Sequence, residues 1–371
     1  MPKPSFTTLT CLSTKGHVLF ATDEWFASAD NLLLTSPPVF IPEKFTDFGK
    51  WMDGWETRRK RIPGHDWCVI KLGLRGKIAG IDIDTAFFTG NNAPRVSIQA
   101  ACLPEGKGQE LTRERQMGTC ASSSESEAIE KLGSESWHEI LPRTELNPGY
   151  EESRHHYFEI ANDQVWTHLR VNIFPDGGIA RLKVYGIVSV DWDKVPADAS
   201  VDLVAAANGG TIITYSDAHF GEPKNLLMPG RGINMGDGWE TARKKTRPAI
   251  LTADEKGLLT VPGKDWVIIQ LGHIGIIDRI EIDTHHFKGN YPESCFIEGR
   301  FHQGQASTLN EQTQWRPLLP RTKLGPDAQH YFGKDQLVPG EAINHVRLTI
   351  YPDGGISRLR IWGRKALLGR L

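Results

Sequence analysis

The chain states almost the same sequence twice. Asp53-Gly54-Trp55-Glu56-Thr57 returns as Asp237-Gly238-Trp239-Glu240-Thr241, and Ile81-Asp82-Ile83-Asp84-Thr85 returns as Ile280-Glu281-Ile282-Asp283-Thr284. Gly90-Asn91 returns as Gly289-Asn290, and Leu141-Pro142-Arg143-Thr144 as Leu319-Pro320-Arg321-Thr322. His168-Leu169-Arg170 through Pro175-Asp176-Gly177-Gly178 returns as His345-Val346-Arg347 through Pro352-Asp353-Gly354-Gly355. The order is kept throughout, and the period is far longer than a solenoid repeat, so a whole domain has been duplicated. A chain of 371 residues is long enough to give both copies a proper core.

The segments around these motifs carry strand patterns. Leu169, Val171 and Ile173 alternate with His168, Arg170 and Asn172, and Leu182 and Val184 alternate beyond the Pro-Asp-Gly-Gly turn. Period-two alternation around such a turn predicts a hairpin with one buried face. Trp67–Leu72, Ile78–Ile83 and Val96–Ala100 predict further short strands, each with a counterpart in the second copy. Many short strands with Gly/Pro turns predict an all-β chain, with a sandwich or jelly roll in each half. Val190 to Gly210 reads as a linker, which sets the domains at 1–189 and 211–371. The stretch from Gln99 to Trp137 is longer than its counterpart, Glu298 to Trp315. Its polar Ser122-to-Glu127 run predicts a mobile surface loop.

Composition excludes several classes of function. A net charge of −2 gives no footprint for a phosphate backbone. No apolar run is long enough to span a bilayer, and Met1-Pro2-Lys3-Pro4 leads into Ser and Thr instead of an apolar signal core. The five cysteines lack CxxC spacing and there is no Asn-x-Ser/Thr sequon. The expectation is a reducing, cytoplasmic location without membrane or nucleic-acid partners. Gly369-Arg370-Leu371 leaves a peroxisomal address open. Nucleotide-binding glycine loops, HExxH and Gly-x-Ser-x-Gly are all missing.

The shared motifs supply the candidate site residues. Glu56 and Glu240 follow a tryptophan that can anchor in the sandwich, and cations follow them, among them Arg59 and Arg243. A carboxylate beside cations suits proton transfer on an anionic substrate, or else a structural ion pair. Asp84 and Asp283 end a strand and precede Asn91 and Asn290. These four serve either a ligand or local turn chemistry. Arg143 and Arg321 are able to clamp a carboxylate or to lie in surface ion pairs. His168 and Arg170, with their counterparts, read as a solvated strand face, and His156 and His330 as structural. Where the first copy has Ala86-Phe87 the second has His285-His286. Neighbours on a strand face opposite sides, so this pair is a poor metal site, while His286 alone is a candidate acid/base.

Taken together, the tandem Asp-Gly-Trp-Glu-Thr, Ile-Asp-Ile-Asp-Thr and Phe-Pro-Asp-Gly-Gly motifs resemble the allantoicase family, from about Asp23 to Gly363. The resemblance implies two tandem jelly-roll β-sandwich domains of the galactose-binding-like type. It implies hydrolysis of allantoate to ureidoglycolate and urea in purine degradation, and a homo-oligomer. It carries over no catalytic assignment. The chemistry itself asks for an acid, a base and a cation for the substrate carboxylate. The residue types suggest Glu56, Glu240 and His286 for proton transfer, and Arg59, Arg243, Arg143 or Arg321 for the anion. Asp84, Asp283, Asn91 and Asn290 are placed on the ureido groups. No cofactor is expected, and a divalent metal on Glu56, Asp84 and their counterparts stays open. The rival reading is a non-catalytic tandem protein that binds carbohydrate or another ligand.

Overall fold

The structure is a computed structural model and describes residues 3–104, 106–108, 111, 116–246 and 248–366. The C-terminal tripeptide read as a possible address lies outside these residues. The chain divides into two compact units, Met1–Ser189 and Val190–Leu371. No helix among the described residues is long and apolar enough to cross a membrane.

In the first unit the principal strands are β1 (Thr10–Cys11), β2 (His17–Ala21), β3 (Trp55–Glu56), β4 (Asp66–Asp84), β5 (Arg95–Ala101), β6 (His138–Glu145), β7 (His155–Glu159), β8 (Val165–Phe174), β9 (Gly178–Ile179) and β10 (Arg181–Val188). The long strand β4 joins both layers of a sandwich. Its first half pairs with β2 and β8, and its second half pairs with β7 and β10. One layer runs β2-β4-β8-β5-β6 and the other β1-β10-β4-β7, all antiparallel. Between the layers lie Ile70, Ile98, Leu169 and Val171 from one side and Ile81, Ile83, Leu182 and Val184 from the other, all buried. The bend in β4 needs glycine. A Cβ on Gly73 would lie 1.9 Å from the Thr14 carbonyl oxygen.

The second unit repeats the plan with β11 (Val201–Asp202), β12 (Thr211–Tyr215), β13 (Trp239–Glu240), β14 (Asp265–Asp283), β15 (Ser294–Arg300), β16 (Arg316–Lys323), β17 (Gln329–Phe332), β18 (Ile343–Tyr351), β19 (Gly355–Ile356) and β20 (Arg358–Lys365). Its layers are β12-β14-β18-β15-β16 and β11-β20-β14-β17. Each unit is thus a jelly-roll β-sandwich, as the sequence leads one to expect.

Four expectations are corrected. The strands flanking Pro-Asp-Gly-Gly are not a hairpin: β8 and β10 pair with opposite halves of β4, so the turn crosses from one layer to the other. Alternation reports which face of a strand is buried, and both strands bury theirs against the common core. The linker is not a linker throughout. Val201–Asp202 pairs with β20 and Leu203 is fully buried, because the strand matching β1 lies there.

The insertion in the first copy is also not a mobile loop over its polar run. Ser123–Glu130 forms helix α1, closed by a capping box in which the Ser122 hydroxyl accepts from Glu125 N and the Ser122 N–H donates to Glu125. Its Ile129 is buried against Leu19, Phe20 and Val69 on the outer face of the sheet. The face read as solvated is therefore covered: His168 and Arg170 are buried, and Arg170 stacks 3.8 Å from Trp67 and donates to Ser134 Oγ. His345, the counterpart of His168, is buried as well.

Candidate active site

Two registers place the shared motifs at one end of each sandwich. Asp66 pairs in the layer reached by Ile173, and Asp84 opposes Arg181. The two ends of β4 are therefore bridged by the short segment 174–180 that contains Pro-Asp-Gly-Gly. Gly177 there has φ +125° and its counterpart Gly354 has +136°, backbone that favours glycine. Against this turn lies β3, with Glu56 opposite Gly178; β13 lies likewise against β19.

Trp55 and Trp239 are the anchors. Both are fully buried, and each indole N–H donates 2.8 Å to a backbone carbonyl, of Asp23 and Asp217 respectively. Alternation along a strand then turns the next residue the other way. Glu56 Oε1 accepts from Asn91 Nδ2 at 2.6 Å, while the Asn91 carbonyl accepts from Gly178 N. Glu240 accepts from Asn290 in the same manner. The copies then part. Glu56 is only 8% exposed, and burial drives its carboxyl from the ordinary 4.5 up to about 7, with the Asn91 bond pulling the other way. Glu240 stands more open to solvent.

The strand-end aspartates are held by the protein. Asp84 takes a fork from Arg154, 2.9 Å from Nε and 2.5 Å from Nη2, and also accepts from Ala86 N. Asp283 accepts from Arg231, from Gln329 and from His285 N. A buried carboxylate needs such partners to stay in place, and both aspartates have them. The expectation that His285 and His286 face opposite sides is corrected. His286 has φ +74°, as Phe87 has +69° in the first copy, and this left-handed step brings the two imidazoles to 3.9 Å. His285 Nδ1 lies 2.8 Å from Asp327, and His286 Nε2 lies 2.9 Å from the Gly232 carbonyl. The first copy fastens the same loop differently, stacking Phe40 on Phe87 at 5.6 Å.

Among the described residues no candidate arginine forms an ion pair with Glu56 or Glu240. Arg59 and Arg243 are exposed and form no ion pair among the described residues. Arg143 stacks 4.1 Å from the Phe174 ring and Arg321 4.2 Å from the Tyr351 ring, both at the head of the Pro-Asp-Gly-Gly segment. Arg321 also donates to Ser294 Oγ and pairs with Glu293. Among the described residues no three His, Cys, Asp or Glu side chains form a metal-holding group.

Comparison with known proteins decides the family. The allantoicase repeat pattern matches residues 7–189 and again 201–366. The chain belongs to the allantoicase family. A probable allantoicase of Pseudomonas savastanoi pv. phaseolicola is 47% identical over 355 residues, covering 95% of this chain and 94% of its own. One from Pseudomonas fluorescens Pf-5 is 48% identical over the same share of each. The crystal structure of allantoicase from Saccharomyces cerevisiae aligns over 96% of both chains with a TM-score of 0.69 and 34% identity.

This allantoicase fold has further paired contacts that the motif search passes over. Lys60 Nζ lies 2.6 Å from Asp66, which also accepts from Thr22 Oγ1, and Lys244, Asp265 and Ser216 repeat the set. Arg181, fully buried, pairs with Asp53 at 2.8 Å, and Arg358 pairs with Asp237 at 2.7 Å. Asp66-Trp67 and Asp265-Trp266 are visible once the copies are aligned. Arg154 has no such signal, because the second copy meets the same need with Arg231 from a different loop.

Proposed function

We propose that this chain hydrolyses allantoate to ureidoglycolate and urea, with Glu56 as the proton-transfer group of the first repeat. One observation carries the role: a buried carboxyl, held by Asn91 through one oxygen, that titrates near neutrality. Oε2 has no protein partner among the described residues and is available to the substrate.

Allantoate bears a carboxylate and two ureido groups on one carbon. As the bond from that carbon to one ureido nitrogen breaks, the protonated Glu56 delivers its proton to the departing nitrogen, releasing urea. The lone pair of the remaining ureido nitrogen, which keeps its hydrogen, fills the vacancy and gives an acyliminium cation. The Glu56 carboxylate then takes a proton from water as the oxygen adds to the carbon. The proton returns to its starting place, and allantoate and water have become ureidoglycolate and urea. A pKa near the working pH serves both halves of this cycle. Arg59 or Arg143 would meet the substrate carboxylate, and Glu240, Asn290, His286, Arg243 and Arg321 are the second-repeat candidates. The same reading includes a homo-oligomer, to be checked by the mass in light scattering. The non-catalytic alternative is not favoured, given kinship with allantoicases along nearly the whole chain.

The test is urea release from allantoate by the purified full chain. Glu56→Gln is expected to lower turnover by roughly 10²- to 10⁴-fold with the fold intact. Near-normal turnover in folded Glu56→Gln removes this residue from the mechanism, and no urea from the unaltered protein removes the function.

A further inference from the structure

At the opposite end of the second sandwich from Glu240, a cavity of about 680 Å³ opens beside the bend of β14. Its position follows from register, since Gly275 opposes both Ile343 and Lys365, at the far ends of β18 and β20 from Pro-Asp-Gly-Gly. Leu318 and Leu337, both nearly buried, form part of its lining. Four cations, Arg300, Arg316, Lys334 and Arg364, line it against two carboxylates, Asp278 and Glu341. Lys334 and Arg364 share Asp278, at 2.9 and 3.0 Å, and Arg316 pairs with Glu341 at 3.0 Å. Arg300 has no carboxylate among the described residues. It donates to the Gln314 carbonyl, and its buried Nε has no partner.

The first repeat carries an indole at this place and lacks two of the arginines. Trp166 opposes Gly76 where Ile343 opposes Gly275, and His138 stacks on that indole at 5.6 Å. Matching registers put Ala101 at the place of Arg300 and Ile187 at the place of Arg364. Three of the four cations already have a carboxylate, which leaves Arg300, alone of the four among the described residues, to meet an added anion. A volume of this size is that of a small-molecule site.

We infer that this cavity of the second repeat binds a small organic carboxylate, separately from the end of the sandwich that bears Glu240. The inference does not depend on the catalytic reading.

The experiment is calorimetric titration of the full chain with succinate, with uncharged succinamide as the control. Succinate is expected to bind saturably and succinamide not at all. Two variants copy the first repeat into the second. Arg300→Ala is expected to weaken binding roughly tenfold by removing one charge-assisted contact. Ile343→Trp is expected to abolish it by filling the space, and Glu56→Gln is expected to leave it unchanged. Absence of saturable binding overturns the inference, as does binding that survives both variants or disappears in Glu56→Gln. A changed oligomeric mass in either cavity variant without succinate binding by the unaltered chain makes the cavity a subunit contact, and equally overturns it.

Discussion

Glu56 and Glu240 sit in the same five-residue motif, beside the same buried tryptophan and under the same asparagine, yet their surroundings differ. The first is 8% exposed, and burial pushes its carboxyl up to about 7; the second is more open to solvent. The difference lies in what surrounds the shared frame. Between Asn31, which donates to the Gly54 carbonyl, and Asp53 the first repeat carries a longer segment than the second carries between Asn225 and Asp237. Its Phe40 stacks on Phe87, whereas His286 of the second repeat reaches the Gly232 carbonyl. After duplication the bonds that hold the turn and the tryptophan strand have stayed, and the neighbouring loops have diverged. Burial is the largest cause of the shift at Glu56, so its surroundings raise this carboxyl.

The largest effects should come from the shared frame. Arg181→Ala and Arg358→Ala each leave a carboxylate without its guanidinium and are expected to cost about 3–5 kcal/mol in guanidinium denaturation. The first should cost more, because the Asp53 side chain is 10% exposed and the Asp237 side chain 29%. A larger loss in the second repeat would break the comparison.

Glu56→Gln sharpens it through pH. The folded-state pKa of Glu56 is raised, so the neutral form favours the fold below about 4.5 and that advantage is lost as pH rises toward 7. Above pH 7 the Gln variant should therefore be more stable than the unaltered chain, by about 3 kcal/mol. Below pH 4.5 the two should coincide. A pH-independent difference would mean that burial does not set the titration of this group. The smallest effect belongs to the insertion. Ser122→Ala removes half of the capping box and should loosen α1 by about 1 kcal/mol, read as faster amide exchange over residues 123–130.

Much of the frame was legible because it is written twice. Aligning the copies exposes Trp55 with Trp239, which anchor in the sandwich as expected, and Asn91 with Asn290, whose bonds to Glu56 and Glu240 the alignment does not foretell. Alternation showed that Leu169 and Leu182 face a core but not which strand each pairs with, so the crossover read as a hairpin. The Ser-rich run before Ile129 read as loop because its polar composition masked a capping box, Ser122 with Glu125, which was itself in plain view. The left-handed φ at His286 leaves no mark in a sequence that places a non-glycine there. Arg154 could not be found by matching copies, because the charge opposite Asp283 comes from another segment, at Arg231.

The pH dependence of kcat/KM for urea release tests the central claim most directly. The account predicts an ionisation near pH 7 that Glu56→Gln abolishes and Glu240→Gln retains. An ionisation that persists unchanged in Glu56→Gln and vanishes in Glu240→Gln would contradict it.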